Sequence, residues 1–217
     1  MSSDWQTFFS ANASAIFALV GALGVGTLSA VTALLVKRRE FDLALTGKLF
    51  ERRIAAHEKI MEIATEMRVM FPLEGRYADG EFRRAPNVLQ SKDVYEEWMA
   101  SFTHRSLTGT SWLSTEAKRE LNLVQDYLAT LRMHLTGVPD AHYPDLGALI
   151  RQDFIDLSSS LEKYAFEFFR TGVRQLQLHS LDEWHKYERA ETERRLGETM
   201  LAKNFDAFAR VRLRDAR

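Results

Sequence analysis

The chain has 217 residues, with 29 basic and 30 acidic side chains, six histidines and no cysteine. A net charge close to zero excludes a general electrostatic attraction to nucleic acid. The absence of cysteine excludes a thiol nucleophile and a thiolate zinc site, and it fits a reducing compartment.

The most informative segment is a long uncharged stretch near the N-terminus. Residues 5–36 carry no charge, and residues 13–36 read ASAIFALVGALGVGTLSAVTALLV. As an α-helix these residues are about 36 Å long, which is enough to cross the hydrocarbon core of a bilayer with some tilt. A core helix of a soluble protein has a polar stripe, and this stretch has none. The sequence therefore predicts a transmembrane helix over residues 13–36.

Charges on the two sides of this helix predict its orientation. Lys37, Arg38 and Arg39 follow it directly, whereas the tail, residues 1–12, has one acidic residue and no Lys or Arg. The positive-inside rule then places the tail outside and the rest of the chain in the cytoplasm. A cleaved signal peptide is the competing interpretation, but its basic residues precede a shorter apolar run. We therefore expect a retained anchor, and no later segment approaches 18 apolar residues.

The predicted span contains a row of small residues at intervals of four. Small residues with this spacing let another helix backbone approach closely, which is how helices associate in lipid. The row predicts self-association through the membrane, although Ala and Gly are also common in such spans. It comprises Ser14, Ala18, Ala22, Gly26 and Ala30. No ionisable residue lies in the span, so a side-chain proton or ion relay is not expected there.

Beyond the span, apolar residues recur at helical spacing, and we predict an all-α fold. No helix stop separates the anchor from residues 37–71, which are predicted to continue as a helical stalk. Residues 72–217 are predicted to form a cytoplasmic bundle. The predicted fold is thus a single N-terminal transmembrane helix followed by a helical bundle of about four long helices and one short helix.

Individual elements of the bundle have their own signals. Residues 72–90 contain two prolines and two glycines and are predicted to form a loop. A short helix is predicted from about Ser91, and a longer one follows Ser114, which has the chemistry of an N-cap. The next helix is predicted from about residue 150 to 178. A last helix is predicted from a capping box that begins at Ser180, with a charge-rich face stabilised by pairs such as Glu191 with Arg195.

Few residues suggest chemistry. Phosphate-binding loops, dinucleotide fingerprints, nucleophile elbows and HExxH are absent. A metal ion would need His and carboxylate ligands. The closest approach to such a cluster in the sequence lies between His179 and His185, and its side chains are not expected to converge. No cofactor is therefore expected.

One spacing of arginine and histidine fits acid–base chemistry on RNA. Arg174 and His179 are separated by four residues, which resembles the R-x4-6-H motif of HEPN ribonucleases, helical proteins that pair two such motifs across a dimer. Histidine can act as acid or base near neutral pH, and arginine can stabilise charge on a phosphorane-like transition state. Arg52 and His57 match the same spacing, as chance predicts. The alternative is a surface arginine and a histidine near the negative end of a helix dipole.

The architecture as a whole resembles a class of small bacterial single-pass proteins. One span, a basic stop, the stalk KLFERRIAAHEKIMEI and a helical domain with FTHRSLTGTSWLSTEAKREL carry this resemblance. One branch comprises the membrane accessory proteins of type VI-B CRISPR nucleases. The resemblance implies a divergent HEPN-like domain, assembly into a ring-like oligomer, and action at the bacterial inner membrane during phage defence. Of the HEPN residues, only Arg174 and His179 carry over.

The leading hypothesis is a non-enzymatic, membrane-anchored homo-oligomer whose helical domain binds an unidentified protein partner. A more specific version is an effector that perturbs the membrane. The alternatives are a membrane-tethered HEPN-like ribonuclease that uses Arg174 and His179, and a structural scaffold subunit of a membrane complex. Lipid is the expected surrounding of residues 13–36, and RNA is a partner that the net charge does not favour.

Overall fold

The structure is a computed structural model, and it describes residues 3–77, 80–172 and 186–214. The chain divides into two compact units, Met1–Glu51 and Arg52–Arg217. The described residues are mostly helical, as the sequence predicts.

Helix α1 (Ser3–Arg68) contains the whole apolar stretch and continues beyond it. Its residues before Arg52 are mostly exposed, whereas its last four turns supply part of the core of the second unit. The buried side chains of these turns are Ala56, His57, Ile60, Ile63, Ala64 and Met67. The segment that the sequence predicts as a stalk, residues 37–71, is therefore divided between the two units.

A β-hairpin replaces the loop predicted over residues 72–90. Strands β1 (Met70–Arg76) and β2 (Phe82–Pro86) pair antiparallel, with Phe71 opposite Ala85. The prolines are tolerated because both strands of a two-stranded sheet are edges, where a missing N–H costs no ladder bond. Gly75 has a φ of +88°, and the register shifts between Pro72 and Arg76. This hairpin corrects the predicted loop, because its prolines and glycines are typical of loops, while the described residues as a whole stay mostly helical.

Helices α2 (Lys92–Leu107) and α3 (Thr115–Leu135) begin where the sequence predicts. The hydroxyl oxygen of Ser91 accepts a hydrogen bond from the N–H of Val94 and so caps α2. Ser114 caps α3 in the same way, by accepting from the N–H of Ala117. The predicted apolar stripe of α3 is buried along its whole length, at Ala117, Leu121, Val124, Leu128, Leu131 and Leu135.

The predicted end of the next helix, at residue 178, and the capping box at Ser180 lie outside the described residues. Helix α4 (Tyr143–Leu149) precedes α5 (Arg151–Glu167), and a π-helical turn follows over Phe168–Gly172. The predicted last helix is wrong as a single element, because the described residues form three short helices there. They are α6 (Arg189–Gly197), α7 (Met200–Lys203) and α8 (Phe205–Arg214). The break has a local cause: Thr199 caps α7 through its hydroxyl oxygen, which accepts from the N–H of Ala202.

The core of the second unit lies between the end of α1, α2, α3 and α5. Its largest fully buried side chains are aromatic: Tyr95, Phe102, Tyr127, Phe154 and Phe208. The phenol of Tyr95 donates a hydrogen bond to the carbonyl oxygen of Leu128, 3.4 Å away, so its polar end is satisfied inside the core. Burial of this much apolar surface is the main force that holds the helices together.

Candidate functional site: the apolar helix and the buried polar clusters

Among the described residues, one helix is long and apolar enough to cross a membrane, and it is α1. None of the residues in its most apolar stretch is buried. Ten large apolar side chains of this stretch are each more than half exposed: Phe17, Leu19, Val20, Leu23, Val25, Leu28, Val31, Leu34, Leu35 and Val36. Removing one such side chain from water is worth about 1.5–3 kcal/mol, so leaving all ten in water is strongly unfavourable. Another apolar medium must cover this surface.

The two threonine hydroxyls within the apolar stretch are satisfied by the helix itself. The Oγ1 atom of Thr27 donates to the carbonyl oxygen of Leu23 at 2.9 Å, and Thr32 Oγ1 donates to that of Leu28 at 2.8 Å. A polar group without a hydrogen bond is costly in hydrocarbon, and these two threonines avoid that cost without water.

The predicted row of small residues lies on the exposed surface of α1. Because an α-helix turns by about 100° per residue, each step of four advances by about 40°, and the row winds through about 160° from Ser14 to Ala30. Such a row matches a partner helix that crosses at an angle, because rows of this spacing are inclined to the helix axis. A Cβ atom added at Gly26 would meet nothing within 4 Å. The surface is open, and its predicted role in self-association stays a prediction.

The three predicted orienting residues, Lys37, Arg38 and Arg39, are exposed on α1 directly after the apolar stretch. The predicted catalytic residues, Arg174 and His179, lie outside the described residues, as does the His179–His185 group. Within the described ranges, no three His, Asp or Glu side chains converge as a metal site.

In the second pair that matches the Arg–His spacing, Arg52 with His57, the histidine has a structural role. His57 is fully buried, and its ring stacks on Phe168 with centroids 3.9 Å apart. Its Nδ1 lies 2.7 Å from the carbonyl oxygen of Arg53, so Nδ1 carries the proton. Its Nε2 accepts a hydrogen bond from the backbone N–H of Ser114 at 3.2 Å. Both ring nitrogens are thus occupied, and burial lowers the pKa of His57 to about 4.

Arg52 does not assist His57. Its guanidinium lies over the ring of Trp112, 5.4 Å from the centroid. A neutral, enclosed imidazole that holds the N-terminus of α3 cannot exchange a proton with a bound substrate. This pair is therefore excluded as an acid–base site.

Glu120 is a buried carboxylate that ties α6 to α3. It accepts hydrogen bonds from Arg195, at 2.7 Å to Oε1 and 3.1 Å to Oε2, and also from the hydroxyl of Tyr187. The predicted pair of Glu191 with Arg195 is wrong, because Glu191 binds Arg194 at 2.8 Å. Arg195 instead reaches a carboxylate 75 positions earlier in the chain.

Asp153 on α5 fixes α7 in a similar way. It accepts from the backbone N–H groups of Met200, at 2.6 Å, and Leu201, at 2.8 Å, and from the hydroxyl of Tyr127 at 2.9 Å. Burial raises the pKa of Asp153, and the three hydrogen bonds oppose that shift because they favour the charged form.

Glu66 at the end of α1 forms the third cluster. Its Oε1 atom accepts a hydrogen bond from the guanidinium of Arg105 at 2.6 Å. Its Oε2 atom accepts from the same guanidinium and, at 3.0 Å, from the indole N–H of Trp98. Arg105 therefore holds the pKa of Glu66 below its usual value. Glu120 and Glu66 are paired with arginines, and Asp153 is held by three hydrogen bonds, so the three carboxylates hold elements together.

A cavity of about 350 Å³ lies between α3 and the short C-terminal helices. Its walls are largely apolar, and the hydroxyls of Thr130 and Thr199 donate to backbone carbonyl oxygens of their own helical turns. It has the size of a small-ligand pocket, but no converging set of polar groups would orient a substrate for reaction.

Comparison with known proteins gives no relative: no family model, no curated protein and no solved structure matches this chain.

Proposed function

We propose that the protein is a membrane-anchored oligomer whose helical domain binds another protein in the cytoplasm. The exposed apolar stretch of α1 carries this proposal. It is long enough to span a bilayer, the hydroxyls of Thr27 and Thr32 are satisfied by its own backbone, and none of its most apolar residues is buried. A lipid bilayer meets all three conditions at once.

The orientation follows from the charges at the two ends of the stretch. Lys37, Arg38 and Arg39 favour the cytoplasmic side, which places the N-terminus outside a bacterial inner membrane. The row of small residues supplies the contact between copies. An accessory or effector role, in which clustered anchors perturb the membrane in phage defence, is the more specific form of the proposal.

The ribonuclease hypothesis uses Arg174 and His179, which lie outside the described residues, and it remains an alternative together with the scaffold hypothesis. Among the described residues, the other match to its motif, Arg52 with His57, is excluded as a catalytic pair. A scaffold subunit would share the anchor and would differ only in having no effect on the membrane.

Two-sided labelling tests both the span and its orientation. Because the chain has no cysteine, a single cysteine at Ser3 or at the exposed Glu97 is a unique site. In intact spheroplasts, a membrane-impermeant maleimide should label Ser3→Cys but label Glu97→Cys only after lysis. Labelling of Glu97→Cys in intact cells, with Ser3→Cys protected, would reverse the orientation. Equal labelling of both in intact cells would contradict the span.

A further inference from the structure

The helical domain has an aromatic and basic surface where α1 enters it. The aromatic–basic patch consists of Arg52, Arg53, Trp112, Phe166 and Phe169. His57 lies beneath this patch and connects it, with ring centroids 3.9 Å from Phe168 and 6.1 Å from Phe169. The rings of Phe166 and Phe169 are 6.4 Å apart, so these two rings are neighbours within the patch.

Both arginines of the patch are held by aromatic rings. The guanidinium of Arg52 lies 5.4 Å from the centroid of Trp112, and that of Arg53 lies 4.7 Å from the centroid of Phe168. In the part of the chain that the structure describes, neither forms an ion pair. Cation–π contacts fix the position of a guanidinium while leaving its N–H groups free to bind an anion.

Two carboxylates of the described residues lie beside members of the patch in the sequence. Glu51 precedes Arg52 and is exposed, and Glu167 binds Arg170 at 2.6 Å.

Phe166 is an exposed apolar side chain of the patch. Its side chain is 57% exposed, although it lies on the same helix as the buried Leu161 and Ala165. An exposed aromatic ring beside free guanidinium groups is the combination found where proteins meet the headgroup region of a bilayer: the ring enters the interface and the cations bind phosphate.

The proposed membrane anchor favours lipid over other anions as the ligand of the patch. If residues 13–36 span the membrane, then the chain from Val36 to Arg52 can extend no further than about 56 Å. The patch therefore stays within reach of one membrane surface at a high effective concentration, whatever path the intervening residues take.

We propose that the aromatic–basic patch binds anionic lipid at the surface of the membrane that anchors the chain. Arg52 and Arg53 bind lipid phosphate, and the ring of Phe166 lies among the headgroups. This inference rests on the proposed membrane anchor, and it adds a second, charge-dependent contact that docks the helical domain on the bilayer.

The test uses the full chain in lipid nanodiscs made of phosphatidylcholine, with or without phosphatidylglycerol. Lys163→Cys, on the exposed side of α5 three residues before Phe166, provides a unique site for an environment-sensitive fluorophore. We expect a blue shift and quenching by brominated lipid only in the anionic discs, and both should disappear in high salt. A label at Met133→Cys, which is 71% exposed on α3, should respond to neither lipid.

Substitutions at two exposed positions identify the contact. Arg52→Gln should reduce the docked-to-free ratio about fivefold, the usual effect of one basic residue near an anionic surface. Phe166→Ser should remove the quenching while leaving the melting temperature nearly unchanged. Arg189→Gln, which removes an exposed arginine from α6, is the matched control and should have no effect.

The outcomes separate this inference from the proposed function. Failure of the chain to enter nanodiscs at all would overturn the anchor, and this inference with it. Entry with a fluorophore that does not respond to lipid charge would overturn only the lipid contact. A blue shift that depends on protein concentration and not on lipid charge would also overturn it, because a second protein would then cover the patch.

Discussion

At the scale of single residues, the fold of the domain depends on charged groups that the core encloses. Glu120 is inaccessible to solvent, and Arg195 supplies its compensating charge. A buried carboxylate is tolerated only with such a partner, because its loss of hydration must be offset by ionic hydrogen bonds. The two neighbouring arginines of α6 differ in this respect, since Arg194 binds only exposed acids, Glu191 and Glu198.

This difference predicts different effects of two adjacent substitutions. Arg195→Ala should destabilise the domain by about 2–3 kcal/mol, because it leaves Glu120 buried with only Tyr187 as a partner. The loss is smaller than that for a fully buried pair because Arg195 is partly exposed. The melting temperature of the full chain in detergent should fall by roughly 5–10 °C. Arg194→Ala should leave it nearly unchanged. Equal effects of the two substitutions would show that Glu120 does not depend on Arg195.

His57 predicts how stability depends on pH. Its pKa is about 4 in the folded chain and about 6.5 in the unfolded chain, so the unfolded state binds more protons between these values. The stabilisation is complete above about pH 6.5 and is lost as the pH falls toward 4. Protonation would turn Nε2 into a donor that faces another donor, the N–H of Ser114. The positive charge of Arg53 also disfavours the protonated ring.

From pH 7.5 to pH 5, His57 should therefore lower the free energy of unfolding by about 2 kcal/mol. His57→Gln should remove this part of the pH dependence, whereas His104→Gln, on the exposed face of α2, should retain it. Asp153, whose pKa is raised, acts in the opposite direction but is present in every variant. Thermal melts at the two pH values measure the difference, and an undiminished pH dependence in His57→Gln would contradict the assignment.

At the scale of elements, α1 is the helix with two environments. From residue 17 to residue 45 its side chains are exposed in all directions, and after Arg52 one face packs into the domain. Helical periodicity predicted the second half, and the lack of any polar stripe predicted the first. The same reasoning located α2 and α3, where capping serines precede the apolar stripes.

Angular position on α1 predicts which small residues mediate association. Ala22→Leu with Gly26→Leu should block close approach of a second helix and convert oligomers to monomers in mild detergent. Gly21 and Gly24 face about 150° away, at about 100° per residue, so Gly21→Leu with Gly24→Leu is the matched control and should preserve oligomers. Crosslinking followed by size-exclusion chromatography distinguishes them. Oligomers that survive the first pair of substitutions would assign assembly to the helical domain.

At the scale of the whole molecule, local patterns predicted the helical class but not the contacts between distant segments. The hairpin was missed because prolines and glycines typical of loops also suit a short two-stranded sheet. The break at Thr199 was missed because the apolar spacing from Leu196 to Val211 continues across it. Glu120 stands out only as an acid within the apolar stripe of α3, and its partner lies 75 positions away, beyond any local pattern.

The candidate sites also divide into features that local sequence predicts and features that depend on distant segments. Length, composition and flanking charge were sufficient to identify the apolar segment, because a lipid-facing helix needs no partner from elsewhere in the chain. The aromatic–basic patch could not be predicted, since α1, α5 and the turn before α3 contribute to it from positions more than 100 residues apart.

The central claim is that lipid surrounds the apolar stretch of α1, and alkaline extraction of bacterial membranes tests it most directly. The full chain should remain in the pellet after carbonate treatment and ultracentrifugation. Leu23→Arg with Val25→Arg places two charges at the middle of the stretch, at a cost of roughly 2.5–3.5 kcal/mol each for insertion, and should move the protein to the supernatant. Release of the unmodified chain by carbonate without detergent would contradict the account.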